Sequence, residues 1–221
     1  MRINQFVAQA TGLSRRSVDK AIAEGRVKVN TELASLGQDV KPTDKVSLNN
    51  IVVLLPNSKT IILLNKPIGY VCSRDGQGSS TVYDLLPEKY HKLKSIGRLD
   101  KDSSGLVLLT DDGELAYKLG HPKFDKPKVY ELTLDKPLQT PDKELIETGQ
   151  VLLEGKPSTM QIKQSQKNPI SVTVEIYEGR NRQIRRTFSE LNYTVTALNR
   201  VSFGPYNISE LGTKRFMEVS S

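Results

Sequence analysis

The chain has no tryptophan, one cysteine and two histidines among its 221 residues. The lone Cys72 excludes an internal disulfide framework, which fits a reducing compartment. Cys72, His91 and His121 share no paired spacing, so they do not spell a zinc site, and no acidic cluster asks for magnesium. Long apolar runs are missing too. Ile51–Leu55 and Ile61–Leu64 are far too short to cross a bilayer. Met1-Arg-Ile-Asn-Gln-Phe6 lacks the apolar stretch of a secretory signal, so a cytoplasmic protein is expected. There is no Walker-type phosphate loop and no dinucleotide fingerprint, and no cofactor is expected.

What is present is positive charge. A net charge of +7 and an isoelectric point near 9.4 suit a protein that meets a polyanion, because lysines and arginines release counterions at phosphates. With 37% hydrophobic and 26% charged residues, the chain has enough apolar material for a core and is not a disordered polyelectrolyte. No heptad pattern or exposed apolar stripe calls for a partner subunit, so a monomer is expected.

Two parts follow from the patterning. In residues 1–50, Ile3, Phe6, Val7 and Ala10 fall on one helical face, and Thr11-Gly12 ends that helix. Ser14 then opens a second helix with Val18, Ala21 and Ile22 inward and Gly25 as its stop. Val27, Val29 and Lys45–Leu48 read as short strands. Arg15, Arg16, Lys20, Arg26 and Lys28 lie on the outward face; by charge alone they are equally a solvated helix surface or a nucleic-acid contact. Residues 51–59, with Pro56-Asn57-Ser58, read as the connection, and 60–221 as a larger second domain. There, strands are expected at Ile61–Leu64, Gly105–Leu109, Lys128–Leu134 and Val172–Tyr177. Helices are expected at Thr81–Leu86, Glu114–Leu119, Lys143–Glu147 and Gln183–Leu191. The irregular alternation predicts an α+β fold with a mostly antiparallel mixed sheet.

The most informative stretch is Ile96-Gly-Arg-Leu-Asp-Lys-Asp-Ser-Ser-Gly-Leu-Val-Leu-Leu-Thr110. It sets Asp100 beside an arginine and a Ser-Ser-Gly turn, at the mouth of a buried strand that can hold a reactive side chain still. By position alone, Asp100 is as good a turn cap as a reactive group. Asp102, Ser103 and Ser104 suit a turn in which the serines bond backbone amides, and Asp112 suits a helix cap ahead of Glu114.

Gly-Arg-Leu-Asp-x-Asp-Ser-Ser-Gly-Leu resembles the active-site motif of pseudouridine synthases of the Rsu/Rlu type. The resemblance extends, in order, to Asn65-Lys66-Pro67-x-Gly69, Thr81-Val82-x-Asp84-Leu85-Leu86-Pro87, Lys128-Val129-Tyr130 and Glu178-Gly-Arg-Asn-Arg-Gln-Ile-Arg-Arg186. Leu-Ser-Arg-Arg-Ser-Val-Asp19 and Ile22-Ala-Glu-Gly-Arg-Val-Lys-Val-Asn30 likewise resemble the α-L RNA-binding domain shared with a small-subunit ribosomal protein. The chain departs from that pattern at Asn30-Thr31 and at Asn4-Gln5.

The resemblance implies a ribosomal RNA pseudouridine synthase that turns a specific uridine into its carbon-linked isomer after swinging the nucleotide out of its helix. It implies Asp100 as nucleophile, Tyr130 stacked on the uracil, and Arg185 paired with Asp100. From strand alternation alone, Tyr130 shares a side with Leu132 and Leu134 and is a core tyrosine. Helical phase puts Arg185 at the edge of the apolar face, while Arg182 and Arg186 project toward solvent or phosphate. Arg98 is expected to fill the space left by the extruded nucleotide, and Arg180 to contact RNA; Lys66 and Arg74 are equally candidate phosphate contacts or ordinary surface charge. Two other readings stand beside this one. The first is a noncatalytic RNA-binding or ribosome-assembly factor on the same fold. The second, weaker, is a glycosidase using Asp100 and Asp102, which would need two carboxyls flanking one bond.

Overall fold

A computed structural model describes residues 1–56 and 59–219. Asn57 and Ser58, inside the expected connection, lie outside the described residues.

The first unit contains α1 (Ile3–Thr11), α2 (Arg15–Ala23), β1 (Val27–Val29), β2 (Glu32–Leu33), β3 (Val46–Leu48) and β4 (Ile51–Val52). Ser14 caps α2 by accepting from the Ser17 amide at 3.0 Å, the role its position predicts. Ile3, Val7, Val18, Ala21, Ile22, Val27 and Val29 form one core between the helices and a sheet of order β2-β1-β3-β4. The β1–β2 hairpin turns on Asn30-Thr31, with Asn30 at φ 57°, a left-handed position that asparagine tolerates without the family's glycine beside it. The unit runs past residue 50. Ile51 and Val52 pair with Leu48 and Ser47, and Val53 packs on the same core, so the sheet claims the start of the segment read as connection.

Among the described residues, the second unit is built on a nine-stranded sheet. In chain order its elements begin β5 (Ile61–Lys66), β6 (Lys94–Ile96), β7 (Ser104–Thr110), α3 (Gly113–Gly120), β8 (Lys128–Leu134) and α4 (Thr140–Glu147). They continue β9 (Leu152–Leu153), β10 (Lys156–Pro157), β11 (Gln161–Gln164), β12 (Ser171–Ile176), α5 (Gln183–Glu190), β13 (Val195–Phe203), β14 (Tyr206–Asn207) and β15 (Phe216–Val219). The main sheet runs β11-β12-β8-β13-β7-β5-β15, with β14 beside β13 and β6 beside β7; β9 and β10 form a separate hairpin. Among the described residues its pairings are antiparallel except β13 with β7.

The apolar runs of β5 and β7 have a simple cause. Ile62, Leu64, Val107 and Leu109 enter one core, and Ile61, Leu63, Leu106 and Leu108 enter another on the opposite face. A strand buried on both sides has no polar alternation. Helix α5 covers the first face, burying Ile184, Thr187 and Phe188. Thr81–Leu86, expected as a helix, forms only a 3-10 turn at Val82–Leu85, locked by a capping box between Thr81 and Asp84. Helix α4 starts three residues earlier than expected because Pro141 suits a first turn. Among the described residues, no helix is long and apolar enough to cross a membrane.

Candidate active site

Asp100 lies in the loop between β6 and β7, and several local bonds hold that loop. Leu99 is buried, its amide 3.4 Å from the Cys72 sulfur. The Asp100 carbonyl accepts from the Ser103 amide at 3.1 Å, and the Lys101 carbonyl accepts from the Gly69 amide at 2.8 Å. Lys66 is wholly buried beneath the turn, donating to the Pro67 carbonyl at 2.9 Å and the Ser103 carbonyl at 2.5 Å. This overturns its candidate contact with phosphate: the ammonium is a strut inside the protein, its pKa lowered by burial. The turn also differs in its serines. Ser104 Oγ donates to Asn199 Oδ1 at 3.1 Å on β13, and Ser103 Oγ is buried without a partner among the described residues, so neither bonds a turn amide. Asp112 does cap α3, accepting from the Glu114 amide at 2.9 Å.

The arginine segment reaches the same loop, with a different partition from the one expected. Arg182 sets both guanidinium nitrogens on Asp102, at 3.0 and 2.9 Å, with Nη1 3.7 Å from Asp100 Oδ2. Arg185 donates to the backbone carbonyls of Asp102 at 2.9 Å and Val195 at 2.6 Å, and its Nε lies 3.4 Å from Asp102 Oδ2. The arginine that meets Asp100 is therefore Arg182, and Arg185 braces Asp102. Helical phase misplaced Arg182 because α5 begins only at Gln183. Arg182 is its N-cap at φ 48°, a left-handed residue whose side chain does not follow the helix.

Hydrogen bonds from Arg182, and then the charge of Arg185, hold the Asp102 carboxyl below its ordinary value of 3.8. A carboxyl lowered on folding stabilises the fold above its unfolded value and loses that contribution as pH falls through the folded one. Asp102→Asn is thus expected to flatten the loss of urea stability below about pH 4. The effect is at most about 1 kcal/mol, because the pair is half exposed. An unchanged pH slope would show that Arg182 does not hold Asp102 in solution.

Asp100 and Tyr130 line one cavity of about 330 Å³, together with Arg98, Arg182, Leu198 and Arg200. Tyr130 is 7% exposed and continues the core row of Leu132 and Leu134, so its ring ends the core and forms the cavity wall. Arg98 is exposed at the rim, with no hydrogen-bond or ion-pair partner among the described residues. Arg180, which also lines the cavity, donates from its Nη atoms to the Leu153, Lys156 and Pro157 carbonyls and to Glu178, while its Nε is buried with no hydrogen-bond partner among the described residues. Arg186 pairs with Glu154 at 2.9 Å. Arg74 donates to the Lys92 and Leu93 carbonyls, both at 2.8 Å, and covers the Tyr83 ring, so it clasps a loop.

In the first unit Arg15, Arg16, Lys20 and Arg26 are exposed and Lys28 partly so. Arg26 and Lys20 share Glu24, at 2.6 and 3.8 Å. A second cleft, of about 600 Å³, lies where α1 meets β6 and α3; it is lined by Arg15, Lys92 and Lys94 and contains neither Asp100 nor Tyr130. Among the described residues no group of three or more His, Cys, Asp or Glu gathers as a metal site. Sequence reasoning missed Arg200 altogether; an arginine among the apolar positions of Val195–Phe203 was the available signal.

The profile of a family described as RNA pseudouridylate synthase matches residues 60–190, and that of the S4 domain matches residues 1–57. The chain is 36% identical over 228 residues to the ribosomal large subunit pseudouridine synthase B of Bacillus subtilis, spanning 99% of this chain and 92% of that protein. It is 34% identical over 217 residues to the ribosomal small subunit pseudouridine synthase A of Pasteurella multocida, spanning 95% and 91% respectively. A crystal structure of a pseudouridylate synthase superposes with a TM-score of 0.71 at 30% identity, covering 100% of this chain and 96% of that one.

Proposed function

Because this chain belongs to the RNA pseudouridylate synthase family, we propose that it converts a uridine of ribosomal RNA to pseudouridine in the cavity shared by Asp100 and Tyr130. The observation that carries this reading is their convergence. A partly exposed carboxylate whose oxygens accept no hydrogen bond among the described residues stands on one cavity wall, and an aromatic ring rooted in the core stands on another.

In the reaction, the bond from ribose C1′ to uracil N1 breaks, the ring turns, and its C5 bonds to C1′. No atom is gained or lost. Asp100 is the nucleophile. Attack at C1′, attack on the ring, and assistance of elimination to a glycal all use the same carboxylate at the same place. Tyr130 supplies the face on which the uracil stacks, with its hydroxyl bearing on the proton leaving C5. Arg182, anchored by Asp102, orients Asp100, and Arg185 holds that anchor. Because a stacked base hides C1′ and N1, the nucleotide must be extruded, and Arg98 at the rim is placed to enter the vacated space.

Residues 1–50, with the added strand at Ile51–Val52, form the unit that recruits folded RNA through Arg15, Arg16, Lys20, Arg26 and Lys28 by phosphate and shape. Residues 60–221 carry the chemistry. The protein works as a cytoplasmic monomer. The test is direct. The purified chain is incubated with unmodified transcripts of both ribosomal RNAs, and carbodiimide-labelled products are mapped by mass spectrometry. Conversion of a defined uridine is expected. Binding without conversion on either RNA would assign the chain to noncatalytic RNA binding.

A further inference from the structure

Arg200 is among the largest fully buried side chains, with 2% of its surface accessible, yet it lines the cavity of Asp100 and Tyr130. It lies directly across from Tyr130 in the β13–β8 register, so the two side chains leave the sheet on the same side. Its Nε donates to the Leu106 carbonyl at 2.8 Å, and its guanidinium stacks 4.8 Å from the centre of the Phe203 ring. Its Nη2 is buried with no hydrogen-bond partner among the described residues.

A second cation stands nearby. Lys128, half-buried, lines the same cavity; among the described residues its ammonium bonds backbone carbonyls alone and lies 5.4 Å from the centre of the Phe203 ring, with its pKa lowered by burial and then by the charge of Arg200. Among the described residues neither cation has a salt-bridge partner. Buried charge without a counter-charge is unfavourable, and an unsatisfied buried donor calls for an acceptor. Here an acceptor can arrive with the substrate.

We infer that Arg200 is a further catalytic residue, a guanidinium that donates to a carbonyl oxygen of the target uracil and stabilises the negative charge on the ring while it is detached. This rests on the reading of the cavity as the uridine pocket. When the C1′–N1 bond breaks, its electron pair stays with the uracil and spreads onto both carbonyl oxygens. After the ring has turned, C5 supplies the pair that forms the C5–C1′ bond, the Asp100 carboxylate departs with its electron pair where it had bonded to C1′, the C5 proton passes to solvent by way of the Tyr130 hydroxyl, and N1 takes a proton up from solvent. The charge belongs to the reacting ring and is absent from both uridine and pseudouridine. A fixed donor aimed at it lowers the barrier more than it tightens substrate binding. Arg182 is occupied by Asp102, and the other groups argued to touch the base, Asp100 and Tyr130, bring no positive charge. A phosphate is a poorer occupant, because a strand backbone needs open approach. Arg98 at the rim has that access, and Arg200 is covered on nearly all sides.

The test uses the full chain on ribosomal RNA under single-turnover conditions. Arg200→Gln is expected to slow conversion roughly 10²–10³-fold, with RNA affinity and its salt dependence unchanged. Arg200→Lys is expected to recover part of that rate. Millimolar guanidinium is expected to restore part of the rate of Arg200→Ala at an unchanged circular-dichroism melt. Wild-type rates in Arg200→Gln would overturn the inference. So would a fall of about one in the slope of log affinity against log salt, which marks a phosphate contact. Loss of thermal stability in all three variants without guanidinium rescue would reduce Arg200 to core packing and overturn it too. The underlying reading is checked separately: wild-type protein that makes no pseudouridine fails that reading whatever Arg200 does.

Discussion

Asp100→Asn is expected to lower pseudouridine formation by at least about 10³-fold, the scale on which removing a nucleophile acts, while leaving fold and RNA affinity as they were. The asparagine amide fills the same volume but cannot attack carbon or assist its elimination. The structure explains why stability should survive. Among the described residues the Asp100 side chain makes one long ionic contact, 3.7 Å to Arg182, and Arg182 stays on Asp102 without it. The bond that does shape the loop runs from the Ser103 amide to the Asp100 backbone carbonyl, which the substitution keeps. Stability should therefore stay within about 0.5 kcal/mol of the wild type, as for other surface changes. Mass spectrometry of carbodiimide-labelled RNA reads the activity, a thermal melt the fold, and filter binding the affinity. Wild-type modification by the variant would remove Asp100 from the mechanism. Lost activity with a collapsed melt would mean that the loop, and not the carboxylate, had been tested.

The sequence was most legible where the determinants are local. Ser14 before α2 and Asp112 before α3 name their roles by type and position, because a cap acts within its own turn. The buried runs of β5 and β7 announced themselves by unbroken apolarity. Strand β13 did not. Val195–Phe203 carries Thr196, Asn199, Arg200 and Ser202, and its pairing with β8 shifts register twice, so no alternation survives to be read. Strand β15 pairs with β5 from the far end of the chain, and partners that distant leave no local trace. The site divided in the same way. The motifs led to Asp100 and Tyr130, which line one cavity, but the pairing of the arginines turned on one left-handed residue at position 182, invisible to helical phase. Lys66 and Arg74 looked like phosphate ligands because sequence cannot tell a lysine that holds carbonyls inside the fold from one that meets solvent.

Gly105→Ala is expected to be among the most damaging single-methyl changes in the protein, at about 3–5 kcal/mol. Two separate penalties meet there. Gly105 sits at φ 107°, a conformation that residues with a Cβ rarely adopt. A Cβ would also stand 2.3 Å from the Arg200 carbonyl oxygen, 2.5 Å from the Arg200 nitrogen and 2.7 Å from Asn199 Oδ1. The obstacle is the backbone of β13, which no rotamer change can clear. The pair is parallel, Gly105 opposite Arg200, so relief requires β13 to move away from β7. That movement would stretch the Arg200 bond to the Leu106 carbonyl and shift Leu198 and Arg200 in the cavity wall. The melting temperature should fall by about 10 °C, and residual activity at low temperature should fall further than the folded fraction does. Gly155→Ala separates the causes. Gly155 also has a positive φ, 73°, but among the described residues nothing lies within 4 Å of its added Cβ, so it bears the backbone penalty alone, about 1 kcal/mol. If the two variants melt together, the close approach of β7 and β13 does not hold in solution, and the placement of Arg200 beside the site loses its footing.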